Sequence, residues 1–291
     1  MTTNINFSFT RLMAVMKRDM IENWKTNMYR LIGVYTGAAM AFLFGMNGIL
    51  SSNRGETGEA QYAGFCDTFH SILIFVIFFY LMICASRIME VMNTKNKRIS
   101  YMMLPATIGE KFISRVIYVC ITSMIIFFVG LFLAELTRLI LLPLFDAPEE
   151  FSRFCLFDIM SVSLDDTIRI NPGLYTERQS AEIISYLFVI SNCLWSHSIY
   201  ILGGTYFRKH PFVKTWGIMM ALFVIAAYIF GNLINIMSYF SIDLTDERFW
   251  IKAQTLFTTI SIVFLVLAVI NWALSYHLFR NSQITDRKLF T

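Results

Sequence analysis

Apolar residues gather in six blocks along the chain, Leu31–Leu50, Phe69–Arg87, Arg115–Leu133, Ile184–Gly204, Trp216–Ile236 and Thr255–Leu278. An α-helix rises about 1.5 Å per residue, so about 20 apolar residues cover the ~30 Å hydrocarbon core of a bilayer. In hydrocarbon only helices and closed barrels satisfy every backbone N–H and C=O, and blocks of this length select helices. The pattern predicts an all-α, polytopic membrane protein with six transmembrane helices. Arg87 ends one block and Arg115 begins the next, boundaries where a long basic side chain reaches the headgroups.

A different period precedes the first block. Phe9, Leu12, Met13, Met16, Met20, Trp24 and Met28 recur mostly at steps of three or four over residues 7–30, while Lys17, Arg18, Glu22 and Lys25 fall elsewhere. That spacing predicts an N-terminal amphipathic helix lying in the membrane interface, the alternative being an ordinary cytoplasmic extension. The expected organisation is an interfacial helix in 1–30, a six-helix transmembrane domain in 31–278 and a short tail in 279–291. The first block starts only at Leu31, and no small-residue cleavage site follows it, so it is expected to span rather than to be removed.

Composition agrees. Of 291 residues, 56% are hydrophobic and 15% charged, with 28 Phe and 17 Met and a mean hydropathy of +0.58. Soluble domains carry roughly 25% charged residues. The balance argues against a secreted disulfide scaffold, a nucleic-acid-binding domain and a disordered tail. The net charge of +4 conceals an asymmetry. Alternate polar segments share a side of the membrane, and the first, third, fifth and seventh hold 17 Lys+Arg against 5 acids. The other three hold 7 against 15. Basic residues collect on the cytoplasmic side, so both termini are expected there.

Enzyme signatures are missing. There is no Gly-Lys dipeptide and hence no P-loop, and His70, His197, His210 and His277 are too scattered for a metalloprotease motif. No block carries a carboxylate, lysine or arginine near its midpoint, which argues against a proton- or ion-coupled pump. No catalytic, cofactor-binding or metal-ligating residue is expected, and His197 reads as a packed helix residue. Cys84, Cys120 and Cys193 read as small apolar fillers. Cys66 and Cys155 fall on the outer side, where a disulfide and two free thiols are both open.

The segment between the second and third blocks, residues 93–115, holds the densest signal. A basic patch of Lys95, Lys97 and Arg98 leads into Ile99, Tyr101, Met102, Met103 and Leu104. Pro105 stops that run, because its ring excludes continued helix. Thr107 stands three residues before Glu110, a capping box that opens a new helix into the third span. A short amphipathic helix, a rigid corner and a transmembrane helix are expected. The exposed Met and Tyr residues suit either a docking partner or lipid headgroups.

This segment resembles the coupling-helix region of the membrane subunits of ABC-2 type (type-2) ABC exporters, the permeases of bacterial ATP-binding cassette transporters. The matching positions are Met102, Met103, Leu104, Pro105, Thr107, Glu110, Lys111, Phe112 and Arg115, and the amphipathic start and six spans match as well. Asn93–Arg98 replaces an acid common early in that loop, and Ser238–Gln254 is short for paired re-entrant helices. The resemblance implies a permease moving an unidentified substrate across the bacterial inner membrane. It implies no cofactor on this chain, a separate cytoplasmic ABC ATPase as partner, and a second permease copy, most simply as a homodimer. It assigns ATPase coupling to Ile99, Tyr101, Met102, Met103, Leu104, Pro105, Thr107 and Glu110. A non-transporting membrane scaffold or assembly factor is the rival reading.

Three further features bear on function. Gly33, Gly37, Ala41 and Gly45 place a small residue at every fourth position of the first span, a ridge for close helix approach. It suits either a dimer seam or packing within one chain. Asn192 and Ser196 in the fourth span, and Asn232 and Asn235 in the fifth, are polar groups that must face protein or water. Interhelical bonding and a substrate pathway both remain open for them. The outer segment 135–183 is the most acidic, and short helices are expected at Phe151–Met160 and Ser180–Ile184 about a turn at Asn171-Pro172-Gly173.

Overall fold

The computed structural model describes residues 7–53, 55–161, 175–207, 209–238 and 247–281, without the side chains of 160–161, 175–182, 230–238 and 247–253. Among these residues there is no strand. The helices are α1 (Phe9–Glu22), α2 (Trp24–Ser52), α3 (Gly58–Ser86), α4 (Lys95–Met102), α5 (Ile108–Ile117), α6 (Ser123–Leu141), α7 (Cys155–Ser161), α8 (Tyr175–Tyr206), α9 (Pro211–Ser238) and α10 (Glu247–Arg280). Among the described residues, six helical stretches are long and apolar enough to cross a membrane: Trp24–Ser52, Gly58–Met92, Ile108–Leu144, Ile183–Tyr206, Pro211–Ile229 and Gln254–Arg280. The protein is an all-α, multi-pass membrane protein.

Its chain divides into two compact units. One comprises Ser8–Leu81 and Ile113–Ile170. Here Ala39, Phe42 and Met46 of α2 pack on Tyr62, Phe65, Cys66 and Phe69 of α3, with Phe151, Cys155 and Ile159 completing the core. The Phe42 and Phe69 rings lie 5.0 Å apart. Gly130 of α6 admits Val34 so closely that a Cβ there would stand 2.7 Å from its methyl group. Tyr35 and Thr137 hydroxyls meet at 3.0 Å.

The amphipathic helix is shorter than its sequence period suggests. It ends at Glu22, where Asn23 leaves helical geometry at φ −101° and ψ 12° and its side-chain amide donates to the Asp19 carbonyl at 2.8 Å. Trp24 and Met28 therefore belong to α2. Within α1, Phe9, Met13 and Met20 are exposed, whereas Leu12, Val15 and Asp19 are buried. The exposed stripe suits lipid and the buried one holds the helix to its unit.

Span three also departs from a plain helix. Tyr118–Thr122 forms one π turn between α5 and α6, an insertion that realigns the side chains beyond it. Beyond that turn, α6 carries Glu135 and Arg138 fully buried near its end.

The other unit comprises Met82–Phe112 and Asn171–Thr291 with the first seven residues. α8 and α10 pack along each other, with Trp195 stacked on Phe264 at 4.6 Å and Asn271 donating to Ser198 at 3.0 Å. Gly203 and Gly204 let α8 approach Thr215 of α9 and the Ser86 carbonyl, sites that a Cβ would fill. Ser180–Ile184 is no separate surface helix, because α8 is continuous from Tyr175. Continuation of the helix satisfies its backbone at lower cost than a break would. Asn171, Pro172 and Gly173 lie outside the described residues.

Candidate functional site

The corner between α4 and α5 is built from local chemistry. Thr94, extended at φ −106° and ψ 155°, caps α4 by accepting from the Lys97 backbone N–H at 3.4 Å. Two turns later the helix stops at Met102, and Met103–Thr107 carries the chain around Pro105. α5 then opens with a reciprocal box. The Thr107 N–H donates to Glu110 Oε2 at 2.8 Å, and the Glu110 N–H donates to Thr107 Oγ1 at 3.2 Å. Both first-turn donors are satisfied within three residues.

Two longer bonds tie the helices together. Tyr101 donates its hydroxyl proton to the Lys111 carbonyl at 3.1 Å, and Lys111 Nζ donates to the Met102 carbonyl at 2.7 Å. The ammonium thus closes a carbonyl that the end of α4 leaves without a helical partner, where the helix dipole also favours a cation. Phe112 follows, its ring 5.5 Å from Tyr276 and 5.4 Å from Phe279 of α10.

This geometry changes the reading of one residue. Tyr101, expected to be exposed, is fully buried, since α4 turns Arg98 and Tyr101 inward on one face. Met103 takes the outermost place at 75% exposure, and Pro105 is also exposed. Ile99, Met102, Leu104 and Thr107 are half-buried, and Glu110 is buried. Lys111, absent from the expected coupling set, is the residue that joins the two helices.

The small-residue ridge of α2 is divided. Gly45 faces Phe69 of its own chain, where a Cβ would stand 2.6 Å from the ring, so it is not part of a free seam. Gly33, Gly37 and Ala41 remain exposed. Asn192 and Ser196 are half-buried on α8. Asn232 and Asn235 sit in α9 with side chains outside the described residues.

Two buried ion pairs escaped the sequence reading. Arg115 Nη1 lies 3.4 Å from Asp19 Oδ2, with the guanidinium over the Tyr118 ring. Tyr118 in turn donates to Asn27 at 3.1 Å. Burial holds the Asp19 carboxyl above its ordinary pKa against the pull of Arg115. The second pair is a closed knot. Arg138 donates to both Glu135 oxygens at 2.7–2.8 Å and to the Phe151 and Arg153 carbonyls at 2.7 Å.

Glu135 also receives the Cys155 N–H at 2.8 Å and the Cys155 thiol at 3.0 Å. Burial, reinforced by the carboxylate, pushes the Cys155 thiol up, which keeps its proton available for that bond. Cys66 and Cys155 are both free thiols. Opposite charges at i and i+3 in the polar continuation of the third apolar block were the available signal for the knot.

Compared with protein-family models, with curated proteins and with solved structures, the chain matches none. Among the described residues no three His, Cys, Asp or Glu side chains converge into a metal-ligand set.

Proposed function

We propose that this protein is the permease half of an export-type ABC transporter in a bacterial inner membrane, working as two copies that each engage a separate cytoplasmic ATPase. The carrying observation is the corner itself. A two-turn helix is tied to the first turn of a spanning helix by Tyr101 and Lys111, and Met103 projects at its tip. A push on a flexible loop dissipates, whereas a cross-bonded corner transmits displacement, as a coupling lever must. Under this reading α4 and Met103 receive the ATPase, and α5 carries the motion into span three. The chain itself performs no chemistry. The distribution of Lys and Arg among the loops supports cytoplasmic termini.

The test is purification of the tagged full chain from its native membranes. A soluble P-loop ATPase recovered in equimolar amount, and lost with Met103→Asp while membrane insertion persists, is the expected result. Recovery of no nucleotide-binding protein, or of a different partner that survives Met103→Asp, overturns the permease reading in favour of a scaffold or assembly factor.

A further inference from the structure

A groove of about 510 Å³ runs between α2, α3 and α6, within the unit that holds all three walls. Along α2 it extends from Arg30 to Phe42, and along α3 from Ile72 to Tyr80. Phe69 packs on Phe42 and Gly45. The two helices are therefore antiparallel, with Tyr80 at the Arg30 end and Ile72 at the Phe42 end. The floor is open where Gly33 and Gly37 lack side chains, with nothing within 4 Å of where either Cβ would stand. Apart from Arg30, no lining residue carries a charge.

The dimensions point to an occupant. The helix from Arg30 to Phe42 covers about 18 Å, close to the ~15 Å depth of one leaflet's hydrocarbon. One end offers a guanidinium, whose planar fork matches phosphate oxygens. The remainder is an apolar slot. This is the complement of a phospholipid, charge at the headgroup level and hydrocarbon to the midplane. A second copy of the chain fits less well, since Gly45 is covered from within and the exposed ridge is reduced to Gly33–Ala41. We propose that the groove binds one anionic phospholipid, with its phosphate at Arg30 and an acyl chain along Gly33 and Gly37. The proposal is independent of the transport reading.

The full chain, purified in a maltoside detergent and washed free of bulk lipid, is assayed for bound phospholipid by native mass spectrometry. The expected result is retention of one phospholipid, enriched in phosphatidylglycerol over phosphatidylethanolamine when both are offered in vesicles. Gly37→Leu should lower retention roughly tenfold. Gly48→Leu should not, because Gly48 also borders open space on α2 but lies outside the groove. Arg30→Gln should abolish the headgroup preference. Should Gly37→Leu fail to fold by its thermal transition, Ala41→Phe fills the same slot.

The proposal is overturned if the wild type retains no phospholipid, if the filled variants retain as much as Gly48→Leu, or if no headgroup preference exists. Disulfide cross-linking between copies carrying Gly37→Cys in native membranes would likewise overturn it, by seating a second copy there.

Discussion

Lys111 Nζ donates to the backbone carbonyl of Met102 at 2.7 Å, so a cation from the first turn of α5 closes the last turn of α4. Together with the Tyr101–Lys111 bond, this makes Lys111 both donor and acceptor across the corner. Removing its ammonium frees one end of α4 without touching the tip at Met103. Under the proposed permease function, Lys111→Met is therefore expected to leave ATPase binding in place while transport per ATP falls. Co-purification and coupled transport measured on the same preparation check this.

Tyr101→Phe separates fold from docking in the opposite way. It deletes a buried donor to the Lys111 carbonyl and should cost about 1 kcal/mol of stability. Met103→Asp, at an exposed position, should change stability by less than about 0.5 kcal/mol. Chemical unfolding in detergent micelles gives both values, and a larger cost for Met103→Asp would contradict its exposure.

Thr107→Ala removes the acceptor for the Glu110 N–H and leaves the Glu110 side chain its bond to residue 107. The expected loss is about 1 kcal/mol. Thr107→Ser, which keeps the hydroxyl, should recover most of it in the same unfolding assay.

Arg138→Met strands the Glu135 carboxylate in the core and leaves the Phe151 and Arg153 carbonyls without their donor. The cost should reach about 3–5 kcal/mol, and Glu135→Gln added to it should return part of that loss. A double-mutant cycle measures the coupling. Additive losses would show that the two residues do not act together.

Cys155 should resist alkylation in the folded protein, since its thiol is buried and held protonated against Glu135. Intact-mass measurement after maleimide treatment is expected to show Cys155 unmodified until denaturant is added. A Cys66–Cys155 disulfide, seen as a peptide pair lost on reduction, would contradict the free thiols.

The six spans were legible because hydrocarbon demands long apolar runs, and no neighbour can relax that demand. Their ends were less so. α3 begins at Gly58, well ahead of the apolar block, because Tyr62, Phe65 and Cys66 pack on Phe151 and Cys155 beyond it. The Thr107/Glu110 box was readable since both partners lie in one turn. The burial of Tyr101 was not readable, because its partner is ten residues away across a corner and hydrophobic periodicity does not reveal which face a two-turn helix turns inward. The α2 ridge was visible as a spacing, but Phe69, which covers Gly45, comes from another helix.

The knot around Arg138 also bears on how the chain matures. Its carbonyl acceptors lie 13 and 15 residues further along, at Phe151 and Arg153. Both are made after the guanidinium, so its hydrogen bonds are complete only once the 151–153 stretch has folded back onto the end of α6. A chain ending short of Phe151 would leave the buried Arg138 guanidinium with Glu135 but with neither carbonyl, so the loop after the third span completes the solvation of a charge carried by that span.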